Sequence, residues 1–222
     1  MSREEYLKLS LGYFQGHMSV EELLCGLEQS VPFEVDELSL PNDERVMLIV
    51  NHPKADEALS LPAEQIAGLK GGNTKNFPSH WFPAVRQMML QKVLQRRFFT
   101  LAFNIGWSVS MRELGHLLIK SNGNGRCQEI ISLMKNDQSS LVIFPEGGAR
   151  DLQIFRTGFF YIACELGIRH LVVCAFHPTT LSLERQNRLR IIHIEDMSRF
   201  INPVIQFADV QRERIREVVG KE

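Results

Sequence analysis

A histidine stands at the end of a buried run. Val46-Met47-Leu48-Ile49-Val50 is continuously apolar and is followed by Asn51-His52-Pro53. An imidazole titrates near neutrality and can take a proton from a reacting hydroxyl. Asp56 and Glu57 follow shortly after. A carboxylate on the second ring nitrogen would fix the tautomer and stabilise the imidazolium. A histidine with nearby acids is also what a solvated polar turn contains, so this block alone defines no site.

A second constellation lies downstream. Leu141-Val142-Ile143-Phe144 is another apolar run, followed by Pro145-Glu146-Gly147-Gly148-Ala149-Arg150. Two adjacent glycines let backbone approach a substrate, so the N–H groups of Gly147 and Gly148 are candidate donors to an oxyanion. Arg150 offers a planar fork for phosphate or carboxylate. Phe155-Arg156-Thr157-Gly158-Phe159-Phe160 then opens a helix. A helix N-terminus beside Arg156 favours an anion.

These blocks need a scaffold. Val46–Val50, Leu117–Ile119, Leu141–Phe144, Leu171–Phe176 and Leu189–Ile194 have the character of strands, while Arg126–Lys135 and Gly158–Leu166 have helical periodicity. The alternation predicts an α/β fold: a mainly parallel mixed central sheet flanked by helices. In such sheets ligands bind outside the carboxyl ends of strands, where His52 and the Pro145–Arg150 block fall. Met88–Phe103 reads as a helix with Lys92, Arg96 and Arg97 on a basic face, either solvated or suited to an acidic carrier or lipid headgroups. Leu61–Pro83 is irregular and rich in Gly and Pro.

At the start of the chain, Ser2 with Glu5 and Ser19 with Glu22 are capping-box patterns. They predict an N-terminal helical pair that breaks near Gly16–Met18. Residues 1–35 are read as this helical segment and residues 36–222 as the α/β domain.

Composition narrows the function. A hydrophobic share of 44% with 23% charged residues is that of a globular chain, which argues against wholesale disorder. A net charge of −1 supplies no basic field for nucleic acid. Cys25, Cys127, Cys164 and Cys174 show no C-x-x-C spacing. They read as reduced thiols in a cytoplasmic protein, and no metal site is expected. The charged N-terminus lacks the apolar core of a signal peptide. No apolar run reaches the ~20 residues of a membrane span, so the protein is expected to be soluble or membrane-associated from one side. No G-x-S-x-G elbow suggests a serine hydrolase.

Taken together, Asn51-His52 with an acid downstream, Phe144-Pro145-Glu146-Gly147, and Phe155-Arg156-Thr157-Gly158 resemble the glycerolipid acyltransferase family. That family includes the glycerol-3-phosphate and lysophosphatidic acid acyltransferases. Its pattern is N-H-x-x-x-x-D, then F-P-E-G-T-R, then F-K-x-G and an apolar strand. The resemblance runs from about Val46 to about Phe176. It implies that His52 deprotonates an acceptor hydroxyl, which attacks the thioester of an acyl-CoA or an acyl-carrier protein. It implies that Glu57 or Asp56 orients His52, that Glu146 shapes the acceptor pocket, and that no metal or organic cofactor is needed. The acyl donor, a carrier protein and a membrane surface are the partners it implies.

The departures fall mostly on the acceptor side. The orienting acid is either Glu57, which keeps the register, or Asp56. Arg150 stands one place later than in the family pattern. The family's Asp-Arg pair on the acceptor phosphate is replaced around Gly115–Ser121, where Lys120 or Arg126 are the available cations. Arg169 and Val172 stand where the last motif carries prolines. An acceptor other than glycerol-3-phosphate or lysophosphatidic acid, such as another lipid or a specialised-metabolite alcohol or amine, is therefore an alternative. An acyl-thioester hydrolase and a non-catalytic acyl or lipid binder on the same fold are the others.

Overall fold

The computed structural model describes residues 1–30, 33–52, 94–95, 97–103, 116–119, 123, 125–146, 152–177, 183, 185–199 and 204–220. Two helices open the chain, α1 (Arg3–Phe14) and α2 (Val20–Ser30). Both carry the expected caps. Ser2 Oγ accepts from the Glu5 N–H at 3.2 Å while the Glu5 carboxylate accepts from the Ser2 N–H at 2.7 Å. Ser19 and Glu22 repeat the exchange at the same distances, 3.2 and 2.7 Å. Each box satisfies N-terminal amides that would otherwise lack partners. Between the helices, Gly16 adopts φ +73°, a left-handed conformation that glycine takes without the Cβ penalty.

The sheet has seven strands: β1 (Phe33–Val35), β2 (Val46–Val50), β3 (Phe98–Phe103), β4 (His116–Ile119), β5 (Ser140–Ile143), β6 (His170–His177) and β7 (Asn187–Asp196). Their spatial order is β1-β7-β6-β2-β5-β3-β4. All neighbouring pairs are parallel except β6 with β7, so the sheet is mixed and mainly parallel. Among the described residues the later α-helices are α3 (Gly125–Met134), α4 (Gly158–Glu165) and α5 (Val204–Val219).

Central strand β2 shows why its sequence is apolar throughout. It pairs with β5 on one side and β6 on the other, and all five residues are buried. Val46, Leu48 and Val50 pack on one face with Tyr6, Leu23 and Leu27 of the N-terminal helices. Met47 and Ile49 pack on the other with Ile130 of α3, Phe159 and Ile162 of α4, and Phe207 and Ile215 of α5. Each such side chain contributes about 1.5–3 kcal/mol by leaving water. The sheet thus lies between two helical layers.

One expectation is corrected. The helix expected over Met88–Phe103 does not continue through its second half, because Phe98–Phe103 is strand β3. Leu94 is helical, but Gln95 turns at φ 49° and the chain enters the sheet between β5 and β4. A strand with neighbours on both sides and layers on both faces needs no polar alternation, so periodicity did not separate it from a helix. Of the three cations assigned to that helix, Arg97 stacks its guanidinium 4.9 Å from the Phe99 ring centroid. Lys92 and Arg96 lie outside the described residues, as does Leu61–Pro83.

Candidate active site

Strands β2 and β5 run side by side in parallel, with Met47 opposite Leu141 and Ile49 opposite Ile143. Their carboxyl ends therefore emerge together, bringing His52 beside Phe144-Pro145-Glu146 from a sequence separation of 94. From β2 the chain moves outward to β3 and β4, while from β5 it passes to β6 on the far side of β2. The connections diverge here, which makes it a topological switch point, the place where open α/β sheets bind ligands.

Glu146 is the hinge of the arrangement. It is 1% exposed, and its two carboxylate oxygens accept from two backbone amides. One accepts from the His52 N–H at 2.8 Å and the other from the Leu152 N–H at 2.8 Å. Both bonds are short, and the one to Leu152 is fully buried. The family resemblance implies that Glu146 helps shape the acceptor pocket, and these two bonds fix the backbone on either side of it. Leu152 is itself unusual, a buried non-glycine residue at φ 57°. The loop is closed further by the Arg156 N–H, which donates to the Pro145 carbonyl at 3.0 Å.

His52 is half-buried, and its ring meets Phe144 edge-on with centroids 4.9 Å apart. On its other side stands Asn51, 2% exposed. The Asn51 amide donates to the Phe176 carbonyl at 3.1 Å and accepts from the Phe176 N–H at 2.6 Å. It occupies the place of a peptide group and carries the β2–β6 ladder one step past Val50. In the sequence Asn51 is the first residue of the Asn-His block, with no role of its own assigned. The signal was an amide side chain directly following a wholly apolar strand, which must find partners once buried.

Thr157 and Gly158 begin α4 at the same edge of the sheet. Gly158 lies against α3: a Cβ built on it would sit 3.0 Å from Cys127 Sγ. Burial raises the Cys127 thiol pKa above its usual value. Arg156 is exposed just before that helix. Asp56, Glu57, Lys120, Gly147, Gly148 and Arg150 lie outside the described residues. Arg169 and Val172 stand elsewhere. Val172 is buried opposite Leu48, and Arg169 pairs with Asp196 at 3.3 Å at the amino end of β6. That is the edge opposite His52. Among the described residues no cluster of His, Cys, Asp and Glu could hold a metal ion, and no helix is long and apolar enough to cross a membrane.

The fold is that of a solved α/β acyltransferase. The chain is similar to the crystal structure of the 1-acyl-sn-glycerophosphate (LPA) acyltransferase PlsC from Thermotoga maritima, with a TM-score of 0.51 and 16% sequence identity, over 95% of this chain and 87% of that chain. At that identity the likeness concerns the fold, and it agrees with the family whose motifs the sequence resembles. No family model matches the sequence, and no curated protein does.

Proposed function

We propose that the protein is an acyltransferase of the glycerolipid type that moves a fatty acyl group from a thioester donor to an acceptor hydroxyl. One observation carries this reading. His52 and the Phe144-Pro145-Glu146 block, far apart in sequence, meet at the carboxyl ends of adjacent parallel strands, where Glu146 ties down the His52 backbone. His52 takes the proton of the acceptor hydroxyl as its oxygen attacks the thioester carbonyl. The tetrahedral intermediate collapses, the C–S bond breaks, and the thiolate leaves with a proton from the imidazolium. Glu57 or Asp56 is the acid that orients the ring. Gly147 and Gly148 offer amides to the oxyanion, and Arg150, Arg156 or Lys120 neutralises an anionic group of a substrate. Acyl-CoA and acyl-carrier protein are the donor classes, and the work is done in the cytoplasm at a membrane face. The sequence departures on the acceptor side favour an acceptor other than lysophosphatidic acid.

The test is an acyl-transfer assay with labelled acyl-CoA and acyl-carrier protein against a panel of acceptors. The panel holds lysophosphatidic acid, glycerol-3-phosphate, other lysolipids and phosphate-free alcohols. Acceptor-dependent transfer is expected. His52→Ala should cost on the order of 10²–10⁴-fold in kcat, the usual worth of a general base. Thioester cleavage that needs no acceptor would make the protein a hydrolase. An intact thioester retained on the protein would make it a binder. Transfer unaffected by His52→Ala removes the histidine from the chemistry, and a strong preference for lysophosphatidic acid removes the altered acceptor.

A further inference from the structure

We infer that Asn51 is a positioning residue: with Glu146 it forms a two-sided clamp that sets where the His52 imidazole stands. The inference rests on His52 being the general base. The chain at Asn51 and His52 is held from both neighbouring strands, by the Asn51 side chain on one side and by the N–H of the Asn51–His52 peptide on the other. On the β6 side, the Asn51 amide makes a donor–acceptor pair with the Phe176 backbone at 3.1 and 2.6 Å. On the β5 side, the N–H of that same peptide reaches Glu146 at 2.8 Å. Asn51 and Glu146 are each nearly inaccessible, at 2% and 1% exposure. They act through His52 and not on a substrate.

What the clamp leaves to His52 is rotation about its own side-chain bonds, and the edge-on contact with Phe144 limits that as well. The two holds tie the end of β2 to strands on its opposite sides, to Phe176 of β6 through the Asn51 side chain and to Glu146 after β5 through the His52 N–H, so losing either lets the strand end swing toward the other. Neither jaw can be replaced by shape alone. Leucine at position 51 fills similar space but removes both bonds to the Phe176 backbone. Glutamine at 146 keeps one acceptor oxygen and turns an NH₂ toward one of the two amides, so one bond is lost.

The test has an arm that needs no activity. In protein with isotope-labelled histidine, the His52 ring signals are identified by their absence in His52→Ala. Asn51→Leu and Glu146→Gln should each move these signals. Those of His170 should stay, since Glu44 holds it at 2.6 Å at the opposite edge of the sheet, and so should those of His193, which pairs with Glu195 at 3.2 Å on β7, two strands away from β2. In the transfer assay both variants should lose roughly 10- to 100-fold in kcat, the scale of a misplacement of about 1 Å. KM for donor and acceptor should change by less than about twofold, because no ground-state contact is removed. Unmoved His52 signals, general movement of all histidine signals, or a loss confined to KM overturns the inference. Should Asn51→Leu fail to fold, Asn51→Ser is read by the same criteria. An inactive wild type, or a fully active His52→Ala, overturns the proposed function instead, while the ring signals still decide whether the clamp exists.

Discussion

Gly158 offers a sharp test of how closely α3 and α4 meet beside the site. Its backbone is not left-handed, so alanine is compatible with its conformation, and the obstacle is Cys127 Sγ at 3.0 Å from the new Cβ. Relieving such a contact means moving a half-buried thiol or separating two helices. Overpacking of this kind costs about 1–3 kcal/mol. Against it stands a gain of about 0.4–1 kcal/mol, because alanine restricts the unfolded chain. Gly158→Ala should therefore destabilise by roughly 0.5–2 kcal/mol. Cys127→Ala removes the sulfur and costs about 0.5–1.5 kcal/mol on its own, as loss of one buried methyl-sized group does. With both changes the clash is gone, so the double variant should be more stable than the sum of single effects by about 1 kcal/mol. Urea unfolding, followed by circular dichroism and tryptophan fluorescence on all four proteins, gives the cycle. Effects that add within about 0.5 kcal/mol, or a stabilising Gly158→Ala in the otherwise unaltered chain, would refute the close crossing.

Two further outcomes follow from ionisable groups. The Ser198 hydroxyl, at 2.6 Å, and the Arg169 guanidinium, at 3.3 Å, hold the Asp196 carboxyl well below the usual carboxylate range. Its folded pKa is depressed, so as pH falls the unfolded state takes up the proton first. The stability it adds is fully present above the unfolded value of about 3.9 and is lost as pH falls through the folded value. Asp196→Asn should lower Tm near neutrality, and the gap to wild type should narrow below about pH 4; a gap that stays constant across the range contradicts this. Among the thiols, Cys25 and Cys164 are exposed, Cys127 is half-buried and Cys174 is buried, and burial raises the thiol pKa of Cys127, Cys164 and Cys174, with Glu165 adding to it at Cys164. Iodoacetamide read by peptide mass spectrometry should modify Cys25 and Cys164 first and Cys174 only as the chain unfolds. Labelling of Cys174 at the rate of Cys25 excludes the buried position.

The sheet was legible where apolar runs ended in recognisable breaks. Val46–Val50 stopped at an amide and a histidine, and Leu141–Ile143 at a Phe-Pro pair, so both strands and their shared edge could be placed. The capping boxes gave α1 and α2 because their partners are three residues apart, within reach of local reading. Phe98–Phe103 was misread because an interior strand lacks alternation, and the basic residues before it suggested an amphipathic helix. The three-residue β1 is too short to carry a pattern. Helix α5 went unassigned because its buried face includes Gln211, 0% exposed, among Phe207, Ala208 and Ile215. That amide has one tertiary partner, which no local pattern reveals, and one local partner: Gln211 donates to Glu195 of β7 at 3.4 Å and accepts from Arg214, one helical turn on, at 2.8 Å. At the site, residue types pointed to His52 and Glu146. That Glu146 ties down the backbone of His52 depends on strand order, which a one-dimensional pattern does not contain.

Strand order also governs when the site can exist. Both neighbours of β2 are later in the chain, β5 beginning at Ser140 and β6 at His170. During synthesis this wholly buried strand emerges with two unpaired edges. The Glu146 that fixes His52 follows 94 residues later, an interval of about 5–20 s at ordinary translation rates. Until then β2 presents open hydrogen-bonding edges and apolar faces, the combination that invites pairing with another chain. The nascent chain thus carries its candidate base well before the structure that aims it, and premature termination between His52 and Ser140 leaves a fragment with an aggregation-prone strand and no assembled site.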